Sequence, residues 1–399
     1  MRIGIFSECY LPTMNGVVVS IDTFKEEMEK RGHQYFIFAP RTKKYIDKEK
    51  NIFRLPSIAL PKQNYYPIAL TPFAPWVDET VKNLNLDIIH CQHLFSMGSL
   101  GLKIGRKQHI PVVYTYHTLI AEYNNYFPFF DKVIKNFIIS RSKNFCNECD
   151  QIITPSEAMK LVLYKYGVRK PIEVIPTGIK TENFKKINSH LFKAKHNISE
   201  NEKLLLYVGR LAEEKNLKFL FKAFKKVREK HQTRLIIVGG GPQENEYKKL
   251  CYDLKINEYV LFTGYLKKEE TEQMFGIADM FVFPSITDTQ GIVITEAMAA
   301  GTPPVAVAKM GPANIISPGK DGLLTDLTLE DFSGKIGYLL KNPSVLKKMS
   351  SNALKTAKKY SSENCATKME KLYHNVLVRS MYANQTDKVY IRSNSETKI

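Results

Sequence analysis

Long hydrophobic runs are missing from this sequence of 399 residues. Its most apolar stretches, LLLYV, MFVF and GIVI, are interrupted within a few positions by charge, proline or glycine. A membrane-spanning helix needs about 20 consecutive apolar residues, so the sequence does not predict an integral membrane protein. The segment MRIGIFSECYLP is interrupted by Glu8 and shows no cleavage-like pattern. We interpret it as the first strand of a cytoplasmic protein.

Cysteine is also sparse, which argues against a disulfide scaffold. The six cysteines are scattered, and only Cys146 and Cys149 form a C-x-x-C pair. No second pair and no nearby histidine pair completes a zinc site, so we expect two reduced thiols on one helix. The dinucleotide fingerprint G-x-G-x-x-G and the P-loop G-K-[ST] are absent as well. A nicotinamide-dependent reductase is therefore not predicted.

Positive charge is abundant, with 58 Lys and Arg against 40 Asp and Glu and a formal net charge of +18. Such an excess indicates an anionic partner: nucleic acid, a phosphate-bearing substrate or an acidic membrane surface. The lysines are spread along the chain, and signatures of RNA-recognition or zinc-finger domains are not found. A non-catalytic nucleic-acid-binding module remains an alternative hypothesis, although we do not expect nucleic acid as the partner.

Strand and helix patterns alternate along most of the chain. RIGIF, VVVSIDTFKEEMEKRG and HQYFIFAP form one β-α-β unit, and the alternation begins again at KLLLYVGRL after a polar segment. This order predicts an α/β fold with two doubly wound parallel sheets and sites at the carboxyl ends of the strands. The polar segment, at about 180–203, is the expected hinge. The predicted domains are residues 1–185 and 200–345, followed by helices at 346–380 that brace the first domain and a disordered tail at 381–399.

The segment TDTQGIVITEAMAAGTPPV, residues 287–305, carries two carboxylates, Asp288 and Glu296. The pattern predicts a loop after a strand and then a helix that begins near Gly291. The N–H groups at Gly291, Ile292 and Val293 would favour a phosphate at this helix start. Sugar hydroxyls on either side of the phosphate would suit the two carboxylates. The alternative is that Asp288 only caps the helix and Glu296 is a solvated helix residue.

Two cations are predicted at the same edge of the second sheet. In VGRLAEEKN a strand ends at Gly209, so Arg210 and Lys215 would lie where they can neutralise a diphosphate. The alternative is that both are ordinary surface side chains. Nearby, the glycine-rich turn 239–241 would let the backbone approach a ligand or a neighbouring loop closely.

The first domain offers two candidates at strand ends. In PTMNGVVVS, Gly16 stands where a loop meets a helix start and the backbone can approach a phosphate. In YTYHT, His117 follows a strand and would face the same cleft. A lone histidine with a structural role is the alternative.

Taken together, these segments resemble the retaining glycosyltransferases of family four. MNGVVVS, VIPTGI, VGRLAEEKN and an E-x7-E-type segment followed by EAMAAGTP occur in the family's order, over about residues 1–375. The resemblance implies the GT-B fold, in which two Rossmann-like domains face a central cleft. The family has Glu at the first position of E-x7-E, where this sequence has Asp288.

The resemblance also implies roles for individual residues. Glu296 would hold the ribose of a nucleotide sugar, and Arg210 and Lys215 its diphosphate. His117 and Asp288 would contact the transferred sugar. The expected nucleotide-binding residues are Gly16, Gly264, Gln290, Gly291, Ile292, Val293 and Glu296. The family needs no metal, in keeping with the lack of a D-x-D-type motif, and no cofactor is expected besides the donor substrate.

The acceptor is suggested by the residues that follow His117. TYHTLIAEYNNYFPFF is similar to the corresponding stretch of 1,2-diacylglycerol 3-glucosyltransferases. The next segment, DKVIKNFIISRSKNF, predicts a helix with lysines on one side and apolar residues on another, suited to an anionic leaflet or, alternatively, to the core. The predicted lysine face holds Lys132, Lys135 and Lys143, and the apolar face holds Val133, Ile134, Phe137 and Ile138.

The expected activity is therefore transfer of a glucosyl or related hexosyl group from UDP-glucose to diacylglycerol. The enzyme would bind peripherally at the inner face of the cell membrane. Phosphatidylinositol, a glycolipid and a soluble polysaccharide precursor remain alternative acceptors, and the sequence fixes neither the sugar nor its nucleotide.

Overall fold

The computed structural model describes residues 1–42, 45–60, 63–119 and 131–396. Its contacts divide the chain into two units. Unit 1 comprises Met1–Gly178 and Glu363–Ile399, and unit 2 comprises Ile179–Ser362. The chain therefore leaves the first unit once and returns to it after the second is complete.

Unit 1 contains a parallel sheet of seven strands in the order β3-β2-β1-β6-β7-β8-β9, as far as the described residues show. Its central strands are uninterrupted hydrophobic runs because helices cover both faces of the sheet. The strands are β1 (Arg2–Phe6), β2 (Gln34–Pro40), β3 (Ile52–Leu55), β6 (Ile88–Cys91), β7 (Val112–Thr115), β8 (Gln151–Thr154) and β9 (Ile172–Val174). The helices are α1 (Gly16–Lys30), α2 (Trp76–Leu84), α3 (Ser96–Gln108), α4 (Asp131–Glu148), α5 (Glu157–Lys165) and α14 (Ser362–Glu396).

One element of unit 1 was missed by the sequence pattern. Strands β4 (Ser57–Leu60) and β5 (Gln63–Ala69) form an antiparallel pair outside the main sheet. Their residues do not show the buried, uninterrupted hydrophobic run that identified the parallel strands, which explains the omission.

Unit 2 contains a parallel sheet of six strands, in the part of the chain that is described, in the order β12-β11-β10-β13-β14-β15. These strands are β10 (Lys203–Val208), β11 (Thr233–Val238), β12 (Val260–Gly264), β13 (Met280–Phe283), β14 (Pro304–Val307) and β15 (Leu323–Thr325). The helices are α6 (His190–Lys195), α7 (Leu217–Arg228), α8 (Glu244–Asp253), α9 (Lys268–Ile277), α10 (Ile292–Ala299), α11 (Met310–Ile315), α12 (Leu329–Lys341) and α13 (Pro343–Lys358).

The strand order reverses once in each sheet. In unit 1 the chain runs outward from β1 through β2 and β3, and then resumes on the other side of β1 with β6. In unit 2 it runs outward from β10 through β11 and β12, and resumes beside β10 with β13. The loops that leave two such neighbouring strands diverge to opposite faces, which opens a crevice at the carboxyl edge of the sheet. Candidate sites are therefore expected after β1 and β6, and after β10 and β13.

The segment predicted as a hinge is packed on unit 2. Phe184 is buried, and its ring lies 5.9 Å from that of Phe275. The backbone N–H of Ile187 donates to the carbonyl of Gly276 over 3.1 Å. The polar composition of residues 180–203 thus marks the surface of unit 2 rather than a free linker, and the units divide between Gly178 and Ile179.

The C-terminal helices also differ from the prediction. Helix α13 belongs to unit 2, and only the chain from Glu363 onward belongs to unit 1. There Met369 and Tyr373 join the core formed with α1 and the sheet. The backbone of α14 continues to Glu396, where the sequence predicted disorder from residue 381. That segment contains neither proline nor glycine, so no residue in it ends the helix.

The glycine-rich turn after β11 allows two backbones to approach, as predicted. Gly239 has φ 124°, and a Cβ added there would lie 2.1 Å from the carbonyl oxygen of Gly209. A Cβ on Gly241 would lie 2.4 Å from the carbonyl oxygen of Leu211. The loops after β10 and β11 therefore pack together only because these positions lack side chains.

We expect Gly239→Ala to destabilise the protein by roughly 2–4 kcal/mol, since the new methyl group adds both backbone strain and a steric clash. Gly334→Ala is the control, because Gly334 is exposed in α12 and a Cβ there meets no atom within 4 Å. The control should be neutral or stabilising by up to about 1 kcal/mol. Thermal unfolding measures both variants, and equal melting temperatures would contradict the packing described.

Candidate functional site

The carboxyl edge of unit 2 is built by the loops that follow β10 and β13. Lys215, in a 3-10 turn after β10, donates from Nζ to both carboxylate oxygens of Asp288 over 2.9 and 3.0 Å. The Thr287 hydroxyl donates to the carbonyl of Glu214 over 3.2 Å. The Asn216 amide donates to the carbonyl of Pro284 over 3.2 Å. The structure thus brings together Lys215 and Asp288, which are 73 residues apart in the sequence.

Both predicted cations are paired with carboxylates. Arg210 donates to Glu214, and its side chain is 48% exposed. Lys215 and Asp288 are each 20% exposed. The sequence predicted cations available to a diphosphate, and it missed Glu214 as a partner. The Glu214 side chain is only 11% exposed, so a ligand phosphate that drew Arg210 away would have to offset the loss of a partly buried ion pair.

Helix α10 begins without a capping side chain. Gly291 occupies the N-cap position with φ 81°, a conformation that favours glycine. Asp288 is therefore not the cap, which removes one alternative; its carbonyl accepts from the N–H of Gly311 over 2.9 Å. Gln290 is buried, and a Cβ on Gly311 would lie 2.2 Å from its carbonyl oxygen. Gly291 itself has no side chain that could cap the N–H groups at the start of α10, which is the positive end of the helix dipole.

Glu296 lies one turn into α10 and is half-buried. Burial raises the pKa of its carboxyl group from 4.5 to about 7; Lys268 opposes this shift and Glu272 adds to it. No hydrogen-bond donor among the described residues contributes to this pKa. Glu296 is therefore not a solvated helix residue. Its carboxylate is partly withdrawn from water and gains no hydrogen-bond donor from the described part of the chain, which is the situation of a group that binds a ligand.

Gly264 ends β12 at the same edge. It has φ 71°, a Cβ there would meet no atom within 4 Å, and its carbonyl accepts from the N–H of Gly239 over 2.9 Å. The backbone is thus open to a ligand at this position. Its assignment to the nucleotide remains a prediction.

In unit 1, the start of α1 differs from that of α10 because it is capped. The Asn15 side chain accepts from the N–H groups of Val17 and Val18 over 3.0 and 2.9 Å. Gly16, the first helical residue, has open space where a Cβ would stand. The predicted approach of a phosphate to Gly16 is therefore sterically allowed. The helix dipole there is already partly satisfied by Asn15.

His117 follows β7 at the carboxyl edge of unit 1, as the sequence predicts. Its Nε2 donates to the side-chain oxygen Oε1 of Gln92 over 2.7 Å. Burial, together with the neighbouring His93 and His90, lowers the pKa of His117 to about 3. The ring is therefore neutral at physiological pH and accepts a hydrogen bond only through Nδ1.

Three polar residues at this edge were missed by the sequence analysis. Glu8 follows β1 and accepts from the Ser96 hydroxyl and the Met97 N–H over 2.7 Å each, at the start of α3. Gln92 and His93 follow β6, and His93 Nδ1 accepts from the N–H of Glu8 over 3.1 Å. Their positions directly after β1 and β6 are the signal that identifies them, because the strand order reverses between these two strands.

Helix α4 exposes apolar side chains beside lysine. Val133 is 70% exposed and Phe137 is 63% exposed, and Lys132 lies on the same solvent side. Two residues of the predicted apolar face, Val133 and Phe137, are therefore in solvent rather than in the core. Ile134 and Ile138 are partly buried, as is Lys135. The preceding stretch, 120–130, lies outside the described residues.

The C-x-x-C pair is part of the core. Cys146 and Cys149 are fully buried, and burial raises the pKa of both thiols. Within the described ranges, no group of three or more His, Cys, Asp or Glu side chains is arranged to hold a metal ion. Helices that are long and apolar enough to cross a bilayer are likewise not found among the described residues.

Two sequence profiles match the two halves of the chain. Residues 14–183 match Glycosyltransferase Family 4, and residues 188–356 match Glycosyl transferases group 1. The first match contains Gly16 and His117. The second contains Arg210, Lys215 and Glu296.

Individual proteins match most of the chain. An alpha-monoglucosyldiacylglycerol synthase of Streptococcus pneumoniae is 36% identical over 339 residues, 81% of this chain and 75% of that protein. The Acholeplasma laidlawii protein of the same name is 30% identical, over 94% of this chain and 96% of its own length. Among solved structures, Anabaena HepE in complex with UDP has a TM-score of 0.77 at 17% identity and covers 94% of this chain and 100% of its own. The last match shows the GT-B fold.

We expect Glu296→Gln to stabilise the protein at pH 8. The wild-type folded state keeps this group protonated up to about pH 7, so wild-type stability falls as the pH rises from 4.5 to about 7. The difference between these pKa values corresponds to roughly 3 kcal/mol, an upper bound for the gain in the variant above pH 7.

Unfolding in urea at pH 5 and pH 8 measures this effect. The difference between Glu296→Gln and the wild type should be several times larger at pH 8. Glu269→Gln, an exposed change on α9, serves as the control and should show no such dependence. A difference for Glu296→Gln that is independent of pH would contradict the assigned environment.

Proposed function

The chain belongs to glycosyltransferase family four. We propose that it transfers a glucosyl or related hexosyl group from a nucleotide sugar to diacylglycerol, with UDP-glucose as the proposed donor. The observation that carries the donor assignment is the carboxylate of Glu296, which is half-buried one turn after the Gly291 N-cap and has no hydrogen-bond donor among the residues that the structure describes. The printed names of the two relatives support the acceptor assignment.

A nucleotide sugar complements the carboxyl edge of unit 2. The two ribose hydroxyls would donate to Glu296 and so replace the hydrogen bonds that its carboxylate lost on burial. The diphosphate would lie at the start of α10, where the helix dipole favours negative charge. Gln290, Gly291, Ile292 and Val293 would line this position.

Arg210 and Lys215 would reach the diphosphate by exchanging partners. In the structure they neutralise Glu214 and Asp288, respectively. A diphosphate offers more charge and more acceptor atoms than one carboxylate, so it would draw both cations away. The exchange would free Asp288 to accept from the hydroxyls of the transferred sugar. Asp288, the shorter side chain at the first E-x7-E position, would thus pair with Lys215 before the donor binds and with the sugar hydroxyls afterwards.

We propose a retaining reaction that needs no metal. The bond between the anomeric carbon and the diphosphate breaks while the acceptor oxygen bonds to that carbon on the same face. The acceptor's proton passes to the departing phosphate. Arg210, Lys215 and the α10 dipole would stabilise the charge that grows on the diphosphate. Asp288 and Glu296 both belong to one loop and helix, which does not resemble the opposed carboxylates of a glycosidase.

The exposed surface of α4 supports a membrane-bound acceptor. Val133 and Phe137 would enter the interface of the bilayer, and Lys132 would remain at an anionic surface, where each lysine is worth about 1 kcal/mol. The enzyme would then bind the inner face of the cell membrane without a spanning helix. Diacylglycerol lies in that interface.

Transfer is tested with labelled UDP-glucose and vesicles that contain or lack diacylglycerol. We expect a labelled lipid only when diacylglycerol is present, and no transfer by Glu296→Ala, which removes the ribose contact. Glu269→Ala, on the exposed face of α9, is the matched control and should keep wild-type activity. Label confined to water-soluble product would rule out a lipid acceptor. Labelled product formed with another lipid, and not with diacylglycerol, would make that lipid the acceptor.

Membrane attachment is tested with the double variant Val133→Ser and Phe137→Ser. Loss of two exposed apolar side chains should lower partitioning onto anionic vesicles by about tenfold or more, since burying one such side chain contributes roughly 1.5–3 kcal/mol. The control is Leu191→Ser with Tyr252→Ser, which removes two apolar side chains that are 81% and 72% exposed in unit 2. Equal losses in both variants, measured by vesicle sedimentation, would remove α4 from the proposal.

A further inference from the structure

The unit 2 sheet carries a surface pocket at its amino edge, opposite the loops described above. The pocket has a volume of about 450 Å³ and is formed where α7 leads into β11 and where α8 leads into β12. Strand β11 has six residues, and a strand rises about 3.3 Å per residue, so the two edges are roughly 20 Å apart. A pocket of this volume is large enough for a small ligand that does not touch the candidate site. We refer to it as the amino-edge pocket.

Positive charge dominates the amino-edge pocket. Its lining contains four cations and one carboxylate, namely Lys225, Arg228, Lys230, Lys255 and Glu229. Among the described residues, no carboxylate forms an ion pair with any of these three lysines. Helices α7 and α8 end here, and each helix end contributes about half a negative charge. The two helix ends therefore offset about one of the three net positive charges, and about two remain for a ligand.

Arg228 is held in a fixed position within this pocket. Its guanidinium carbon lies 3.9 Å from the centroid of the Tyr259 ring. Its Nη1 donates to the carbonyl of His231 over 3.3 Å, and its Nη2 lies 3.8 Å from Glu202. Glu202 is paired more closely with Arg234, at 3.0 Å, so it does not cancel the charge of Arg228. The side chain is thus pre-organised, and its guanidinium has more N–H donors than these contacts use.

The histidine in the lining reports the same excess of positive charge. The pKa of His231 is lowered from 6.5 by burial and by the positive charges of Lys341 and Lys230. The ring is therefore neutral at pH 7. Within the described ranges, no carboxylate contributes to this shift, so the electrostatic environment of the ring is positive.

We propose that the amino-edge pocket binds a phosphate monoester, either free in solution or as the headgroup of a lipid. Such a group carries about 1.5–2 negative charges at pH 7, which matches the charge that the pocket leaves uncompensated. Arg228 would bind two of its oxygens, and Lys230 and Lys255 would approach it from the two turns. Leu254 and Ile256 line the same pocket and would contact the carbon atoms attached to the phosphate. This assignment does not depend on the proposed transfer reaction.

The test removes two charges from the pocket with the double variant Lys230→Gln and Lys255→Gln. Binding of a phosphate monoester should weaken about tenfold or more, because two charge-assisted hydrogen bonds are lost. The matched control is Lys222→Gln with Lys249→Gln, which removes two charges from α7 and α8 outside the pocket. All four lysines are exposed, so neither double variant loses a packed side chain.

Two probes carry the same phosphate group and distinguish its source. Glycerol 3-phosphate, titrated into the full-length protein by calorimetry, represents a soluble ligand. Vesicles of phosphatidylcholine with and without phosphatidic acid, used in sedimentation, represent a lipid headgroup. Attachment through α4 is common to the wild type and both variants, so it does not affect their comparison. Since no sugar nucleotide is present, failure of the proposed transfer reaction would leave this result unchanged.

The outcomes decide both the site and the source of the ligand. A weaker affinity of the pocket variant for glycerol 3-phosphate, with the control unchanged, supports a site for a soluble ester. A loss confined to vesicles with phosphatidic acid supports a lipid headgroup. Equal losses in both double variants would show that only the overall charge matters, and would overturn the proposal. It is overturned as well if neither probe binds the wild type, or if the pocket variant binds both probes as the wild type does.

Discussion

The arrangement of both candidate edges depends on the reversal of strand order in each parallel sheet. Parallel strands present all their carboxyl ends at one edge, but most neighbouring loops turn to the same face and close over each other. Only where the order reverses, between β1 and β6 and between β10 and β13, do two adjacent loops part. The polar side chains of the two candidate edges follow these strands or their immediate neighbours. The topology of the sheets determines where the candidate sites lie, and the residues of the loops determine their chemistry.

The carboxyl edges of the two sheets differ in their electrostatics. At the edge of unit 2, cations, carboxylates and a helix dipole lie within one loop cluster, and in the absence of ligand the charges neutralise one another in pairs. Glu296 differs, because it is half-buried with no hydrogen-bond partner in the described ranges, and its pKa is raised accordingly. Such a group lowers the stability of the folded protein above pH 7, which is a common consequence of selecting a site for binding rather than for stability. At the edge of unit 1 the polar groups are instead neutral or already hydrogen-bonded.

Much of this could be predicted from the sequence, because the relevant signals are local. Hydrophobic runs gave the central strands, and the loop after MFVFPS gave Asp288 and the start of α10. The features that could not be predicted depend on residues distant in the chain. The pairing of Lys215 with Asp288 joins the loops after β10 and β13. The contact of Gln92 with His117 joins those after β6 and β7, and neither partner's own sequence indicates the other.

Helix α4 shows what a helical pattern leaves undecided, namely which of its faces is buried. A projection of the sequence separates lysines from apolar residues, but the face that a helix buries is chosen by the elements that pack against it. In unit 1 the buried side is formed by Ser142, Phe145 and Cys146 in the second half of α4. Extending that side back along the helix leaves Val133 and Phe137 in solvent together with Lys132. The exposed apolar residues are thus a consequence of a core fixed two turns later, and their conjunction with lysine gives the helix the character of an interfacial segment.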